Sequence, residues 1–451
     1  MLSVEGYGNV SFAQSAATWA LAFCQLGVYN YGLRECAKVR ANHAALSKLV
    51  KELLAILAVT TAVVLAVFAT AIMTVSKLTS ISGLMWLFFV YTFLYALGVE
   101  WFFQAIEEYA YITKRSVLFK IISLILILLF VRDSGDEFIY GAILALGMSA
   151  NNLINIVRLG KIVGLRSSCE LDVKRHIRPM LSFSLYSLSN TAYTNADTAI
   201  LGFMMASNYQ VGLYQVGAKL KSLVFTLVNS VLGVTVPRLS YILAQGDERS
   251  LRGLRQRVFY LTANVGVGLA VGLFVFAEPV VCLLSGATYL EAVPAVRVLG
   301  LSCLTMVFNL FVEQCVLMTS NREGDLARSN LLGAVMSVVL NLAFDARLGA
   351  LGAALASLGA CLPILIYNSV AAHDLLSDIV DKLDLVKILA SNVAAAAISL
   401  FVLGMEDGAG CLPHLLLGLL VYLLVWALVQ VLLREKLAIG LLRALRERKP
   451  T

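Results

Sequence analysis

The sequence predicts an all-α integral membrane protein with about thirteen transmembrane helices. Three observations carry this. The 451 residues are 60% hydrophobic and 14% charged, against roughly 25% charged in soluble chains. The apolar residues gather into runs long enough to cross a bilayer, which takes about 20 residues per helix. The basic residues alternate between loops: twenty-eight Lys and Arg fall in one set, and only Lys77, Arg132, Arg297 and Arg347 in the other. That asymmetry assigns the rich set to the cytoplasmic side and predicts a cytoplasmic C-terminus.

The expected spans are 10–33, 50–75, 82–105, 115–131, 138–158, 179–206, 211–243, 256–284, 294–319, 328–345, 349–371, 385–405 and 412–433. Span 10–33 puts Ser11, Gln14, Ser15, Thr18 and Gln25 on one face and ends at Arg34. The central hairpin, 179–206 and 211–243, turns at Ala206–Gln210. Its first helix carries Ser182, Tyr186, Asn190, Tyr193 and Asp197 at helical spacing. Its second carries Gln215, Lys219, Ser222, Thr226 and Asn229. Asp197 and Lys219 are expected at equal depth, roughly 12 to 14 Å from the tip at about 1.5 Å rise per residue. Charges at that depth belong on an interior face. Span 294–319 holds Asn309 and Glu313 one turn apart. Asn341 and Asp345 share a face of 328–345, with Asp345 expected at the outer loop and solvated. Beyond the last span, Arg434 to Lys449 alternates apolar and basic residues, as a segment lying along an anionic membrane surface would.

The expected organisation is an N-terminal lobe 1–160, a basic cytoplasmic linker 161–178 and a C-terminal lobe 179–373. Two further helices occupy 374–433, and a basic tail 434–451. Gly6 to Val10 and Gly212 to Val216 share the pattern Gly, three residues, Val, each opening a helix. Read as an internal repeat, this predicts a helix before Met1. The whole would then have fourteen spans: two pseudo-symmetric lobes of six helices plus two. Polar faces that recur in equivalent helices predict a cavity between lobes; polar helix–helix packing is the other reading.

Several function classes are not expected. The eight cysteines form no C-x-x-C pair and read as small buried hydrophobes, not as a disulfide frame or metal site. His43, His176, His373 and His414 are isolated from one another. No H-E-x-x-H, P-loop, nucleophile elbow or dinucleotide fingerprint occurs. Enzymatic catalysis, a bound cofactor and nucleic-acid binding are therefore not expected.

Four stretches carry a resemblance: E-G-Y-G-N-V-S-F-A-Q-S from Glu5, Y-G-L-R-E from Tyr31, G-V-E-W-F-F-Q-A-I-E-E-Y from Gly98, and N-A-D-T-A-I-L-G-F from Asn195. On these the chain resembles the bacterial Wzx-type oligosaccharide flippases. Their superfamily also holds the lipid II flippases and the MATE drug exporters. The resemblance covers most of 1–370. It implies transfer of undecaprenyl-pyrophosphate-linked repeat units across the bacterial inner membrane, for lipopolysaccharide O-antigen, capsule or exopolysaccharide. It also implies alternating access driven by Na⁺ or H⁺. Membrane lipids, and the polymerase and glycosyltransferases of the pathway, are the implied partners. Under this reading Arg34 and Lys219 are the cations for the pyrophosphate. Gln14, Gln25, Asn190, Tyr193, Gln215 and Asn229 form the polar wall for the glycan. Asp197, Glu313 and Glu100 are candidates for ion coupling, with Glu100 alternatively pairing with Arg34. Two other readings stand beside this one. A MATE-like exporter of soluble cations would have a more acidic and aromatic cavity. A membrane polymerase or ligase would carry a large charged outer loop, whereas the outer loops here are short.

Overall fold

The computed structural model describes residues 2–163, 171–320, 322–376, 379–404 and 411–433. The basic tail 434–451 and residues 164–170 of the linker 161–178 lie outside the described residues. What is described is helical, without strands, and ten of its helices are long and apolar enough to cross a membrane. The chain divides into two compact units, 2–212 and 213–433 as far as described.

The first unit opens with α1 (Val4–Gln25), capped by Ser3, whose hydroxyl accepts from the Gly6 amide. A left-handed break at Leu26 and Gly27 (φ 39° and 73°) separates it from α2 (Val28–Val39). The expected span 10–33 is therefore two helices. Glycine is required at the break: a Cβ on Gly27 would stand 2.7 Å from the Ser184 backbone nitrogen. Next come α3 (His43–Thr74), the one-turn α4 (Ser76–Thr79), α5 (Ser82–Ala96) and the short α6 (Glu100–Ala105). The unit continues with α7 (Tyr109–Phe130), α8 (Glu137–Ser149), α9 (Asn151–Val163), α10 (Lys174–Met204) and the start of α11 (Tyr209–Ala244). Central α1 packs against α3, α5, α8 and α10. It is buried on most sides, through Val10, Phe12, Ala13, Ala17 and Leu21 among others.

Two sequence-similar segments meet in this unit. A Cβ on Gly8 would lie 1.9 Å from the Asn208 carbonyl oxygen, and one on Gly212 would lie 2.0 Å from the Val4 carbonyl oxygen. The backbones touch because both positions lack a side chain. Polar bonds fasten the same end: Asn208 donates to Asn9 (2.9 Å), Asn9 to Glu137 (3.1 Å) and Ser207 to Glu5 (2.7 Å). Lys77 donates to the Met205 and Ala206 carbonyls at the hairpin tip.

The second unit holds the rest of α11, then α12 (Glu248–Val275) and α13 (Ala277–Ser285). A 3₁₀ turn (Ala287–Ala292) leads to α14 (Val293–Phe311), which runs directly into a π-turn, Val312–Leu317. Then follow α15 (Glu323–Leu348), α16 (Ala350–Ala371), the one-turn α17 (His373–Leu376), α18 (Lys382–Leu403) and α19 (Cys411–Leu432). The core is α12, α14 and α16 packed together, with α15 on α16 and the α18–α19 pair on α12 and α13. Arg322 clamps Asp374 with two bonds at the end of α16, and this holds the Asp374 carboxyl below its ordinary range.

The cysteine expectation needs one correction. Cys282 and Cys411 form a disulfide joining α13 to α19, with Cα atoms 6.2 Å apart across 129 residues of sequence. Nothing in their spacing announces the bond; the fold brings two helix ends together. Cys24, Cys36, Cys303 and Cys315 are free and buried, as expected, and Cys361 is buried too.

Candidate functional site

Three regions hold the chemistry. The first is a polar cavity of about 320 Å³ inside the first unit. Thr18 and Gln25 of α1 line it, with Tyr29, Tyr91 and Tyr95, and with Ser187 and Thr191 of α10. The expected polar face of α1 thus splits. Ser11 and Ser15 are buried, Gln14 contacts the Met148 sulfur at 3.6 Å, and Thr18 and Gln25 reach the cavity. Asn190 is exposed and Tyr193 half-buried on α10, and Asp197 is buried below them. A cavity walled by hydroxyls, an amide and tyrosine rings can hydrogen-bond and stack on a sugar.

The second region is the E-W-F-F-Q-A-I-E-E stretch with its arginines. Its aromatic half is core: Trp101, Phe102 and Phe103 are buried with Leu53, Leu49 and Val50 of α3. Trp101 packs against the bare face of Gly32. The acidic half is spread over several directions. The chain breaks before Glu100 and turns at Glu107, whose φ is 62°. Glu100 therefore meets Arg115 at 3.6 Å, Glu107 meets Arg40 at 2.5 Å, and Glu108 meets Arg158 at 2.7 Å. Arg158 lies 3.9 Å over the Tyr111 ring, and Tyr111 donates to Asn155 at 3.1 Å.

Arg34 is not the partner of Glu100. It bonds Glu35 at 2.9 Å and lies 4.9 Å over the Phe183 ring, with half of its side chain exposed. Beside it is a cluster that sequence reasoning missed. The fully buried Glu52 accepts from Arg175 and from the Asp172 amide (2.8 Å), and its carboxylate lies 2.8 Å from His176 Nε2. His176 Nδ1 faces the Tyr31 hydroxyl at 2.8 Å. A signal existed: Glu52 is the one acid of α3, and Lys174-Arg175-His176 is a basic run able to answer it.

The third region is in the second unit. Asn309 donates to Glu313 at 2.9 Å, and Asn368 of α16 donates to both. The neighbouring Gln314 donates to Asn229 at 2.7 Å. Gln215 is half-buried and Lys219 exposed, while Lys221 turns inward to Ser357 at 2.6 Å. Asp345 was expected in solvent. It is instead fully buried, as is Asn341 one turn before it, because α15 continues past it to Leu348. An apolar groove of about 700 Å³ runs between α11, α12 and α19, lined by Leu227, Leu269, Leu419, Leu423 and Trp426 among others. Asn264 and Gln430 bond one another at its wall, and Tyr422 donates to Asn392 at 2.6 Å, which fixes α19 against α12 and α18.

The described helices thus hold a polar cavity in the first unit and an apolar groove in the second. The fold is that of a solved structure, "Lipid II flippase MurJ, inward closed conformation". The two are 14% identical, with a TM-score of 0.63 over 95% of this chain and 96% of that one. The chain belongs to the family described as "Polysaccharide biosynthesis protein", whose model matches residues 1–243. A curated relative is the "Probable low-salt glycan biosynthesis flippase Agl15" of Haloferax volcanii. It is 20% identical over 299 residues, which are 63% of this chain. The chain spans 62% of that relative's length.

Proposed function

We propose that the protein is a flippase for lipid-linked oligosaccharides. Its cargo would be an undecaprenyl-pyrophosphate-linked repeat unit, carried across the bacterial inner membrane for O-antigen, capsule or exopolysaccharide assembly. The observation that carries this reading is the polar, tyrosine-lined cavity formed by helices of the first unit. Such a cavity suits a glycan head group, and the apolar groove of the second unit suits a polyprenyl tail. Membership of a polysaccharide biosynthesis family and a relative named as a glycan flippase support the same cargo class. The protein is then a transporter and not an enzyme, with its basic loops and C-terminus cytoplasmic. The pathway's glycosyltransferases supply its substrate and the polymerase takes its product. Arg34 and Lys219 remain the proposed pyrophosphate contacts. Na⁺ or H⁺ drives the cycle through one of the carboxylates Asp197, Glu313 and Glu100. Deleting the gene should abolish surface polysaccharide and leave lipid-linked repeat units facing the cytoplasm. Surface polysaccharide that persists in a strain without another such flippase would overturn the proposal.

A further inference from the structure

We infer that Phe183, together with Tyr31 held by a His176–Glu52 relay, positions Arg34 to receive the pyrophosphate of the cargo; this rests on the reading of Arg34 as a pyrophosphate contact. A guanidinium on a long stem binds best when its geometry is fixed beforehand. Here the face of the group is seated on two rings. Its central carbon lies 4.9 Å over Phe183 and 5.9 Å over Tyr31, and the two rings are 6.1 Å apart. One edge is also taken: Nε and Nη2 both lie 2.9 Å from Glu35 Oε1. Among the described residues nothing bonds Nη1. The Nη1–Nη2 edge is therefore the one left for a phosphate, which a guanidinium grips with two parallel N–H bonds. Half of the side chain is exposed, so a ligand can reach it.

The seat is built from beneath. The break at Leu26–Gly27 brings α2 onto α10, where a Cβ on Gly27 would stand 2.8 Å from Phe183 Cβ. The Tyr31 hydroxyl lies 2.8 Å from His176 Nδ1, and the two rings meet edge to face at 5.6 Å. His176 Nε2 lies 2.8 Å from the Glu52 carboxylate and 3.1 Å from Arg175 Nε. The carboxylate is the nearer group and a charged acceptor. Nε2 therefore carries the proton, and Nδ1 accepts from the Tyr31 O–H. Glu52 is anchored in turn by the Asp172 amide at 2.8 Å and by Arg175. Tyr31, His176 and Glu52 are all buried. A bonded chain of this kind fixes the geometry at its end.

The rings suit this task better than a second acid would. A cation is attracted to the face of an aromatic ring by the ring's quadrupole. That attraction persists when phosphate binds, because the phosphate meets the edge of the fork and the rings its face. Glu35 competes with a phosphate for N–H groups, and it already divides one oxygen between Arg34 and Lys38. Phe183 is half-buried, packed against the core that holds Tyr31 and Leu53.

The test measures binding of undecaprenyl pyrophosphate to the full chain in lipid nanodiscs, beside thermal unfolding of the same samples. Arg34→Ala should weaken binding about tenfold or more, as loss of charge-assisted bonds does. Phe183→Leu should weaken it about two- to fivefold while Arg34 is present. In the Arg34→Ala background it should change nothing further, since a positioning residue acts only through the group it positions. Phe183→Tyr, which keeps an aromatic face, should restore binding. A purely structural role would lower the unfolding temperature and leave the affinity of the folded protein unchanged. Equal losses with and without Arg34 overturn the positioning role, as does full affinity in Phe183→Leu. Either result, with weak binding by Arg34→Ala, leaves the pyrophosphate contact standing. Unchanged affinity in Arg34→Ala overturns that contact and the seat with it. If Phe183→Leu does not accumulate, Tyr31→Phe decides. It keeps the ring and removes only the hydroxyl bonded to His176, so it should lose affinity only while Arg34 is present. Undiminished affinity in Tyr31→Phe overturns the relay.

Discussion

At the scale of single residues, the sequence located charged groups better than it paired them. Glu100 and Arg34 were expected as possible partners because both sit at a cytoplasmic helix end. The structure gives Arg34 to Glu35 and Glu100 to Arg115, although α2 and α6 pack against one another through Gly32 and Trp101. Arg115 is 6% exposed, and its guanidinium makes no hydrogen bond among the described residues, so the 3.6 Å contact with Glu100 is its main electrostatic support. Glu100→Gln should therefore destabilise the protein by about 1–3 kcal/mol, less than for a fully buried pair because Glu100 is partly exposed. Membrane abundance and thermal unfolding in detergent check this. Arg34 should behave differently. Half of it is exposed, so Arg34→Ala should leave abundance unchanged while lowering export, and Arg34→Lys should keep part of the activity. Normal export by Arg34→Ala would reduce Arg34 to a membrane anchor.

At the scale of elements, long apolar runs were legible because nothing else in a chain of this composition can satisfy its backbone in lipid. The interruptions were not. Leu97 to Val99 look like any apolar stretch, and the π-turn at Val312–Leu317 leaves no mark in the sequence beyond its lone acid. Asp345 differs from expectation in the same way: the apolar run ends at 345, but α15 carries on for three more residues, to Leu348. The two segments of the Gly-x-x-x-Val pattern are a separate matter. The two segments lie against one another, and glycine at Gly8 and Gly212 lets each backbone reach the other. Gly8→Val should force the crossing apart. Overpacking ordinarily costs about 1–3 kcal/mol, and here the obstacle is backbone, so loss of the folded protein is expected. Gly135→Ala, where a Cβ would meet nothing within 4 Å, should be silent. Equal abundance of the two variants would show that the crossing does not hold the unit together.

At the scale of the whole molecule, the helical class was readable from composition and charge placement, and the cargo only through kinship. Apolar periodicity cannot name a sugar, and the cavity is assembled from α1, α5 and α10, far apart in sequence. Orientation has an independent check. A disulfide persists where the surroundings are oxidising, so the Cys282–Cys411 end should face outward, opposite the basic loops. A membrane-impermeant phosphine followed by an impermeant maleimide should label intact cells at these two cysteines, and Cys282→Ser with Cys411→Ser should remove the label. The free cysteines that are described are buried and should stay silent. Labelling only after the cells are opened would invert the topology. The bond also acts as one stitch in the spine of a book. It ties α19 to α13 at one end of the greasy groove, while the Asn264–Gln430 bond ties α19 to α12 near the other. Cutting the first stitch should loosen the covers at that end alone and leave the far end closed.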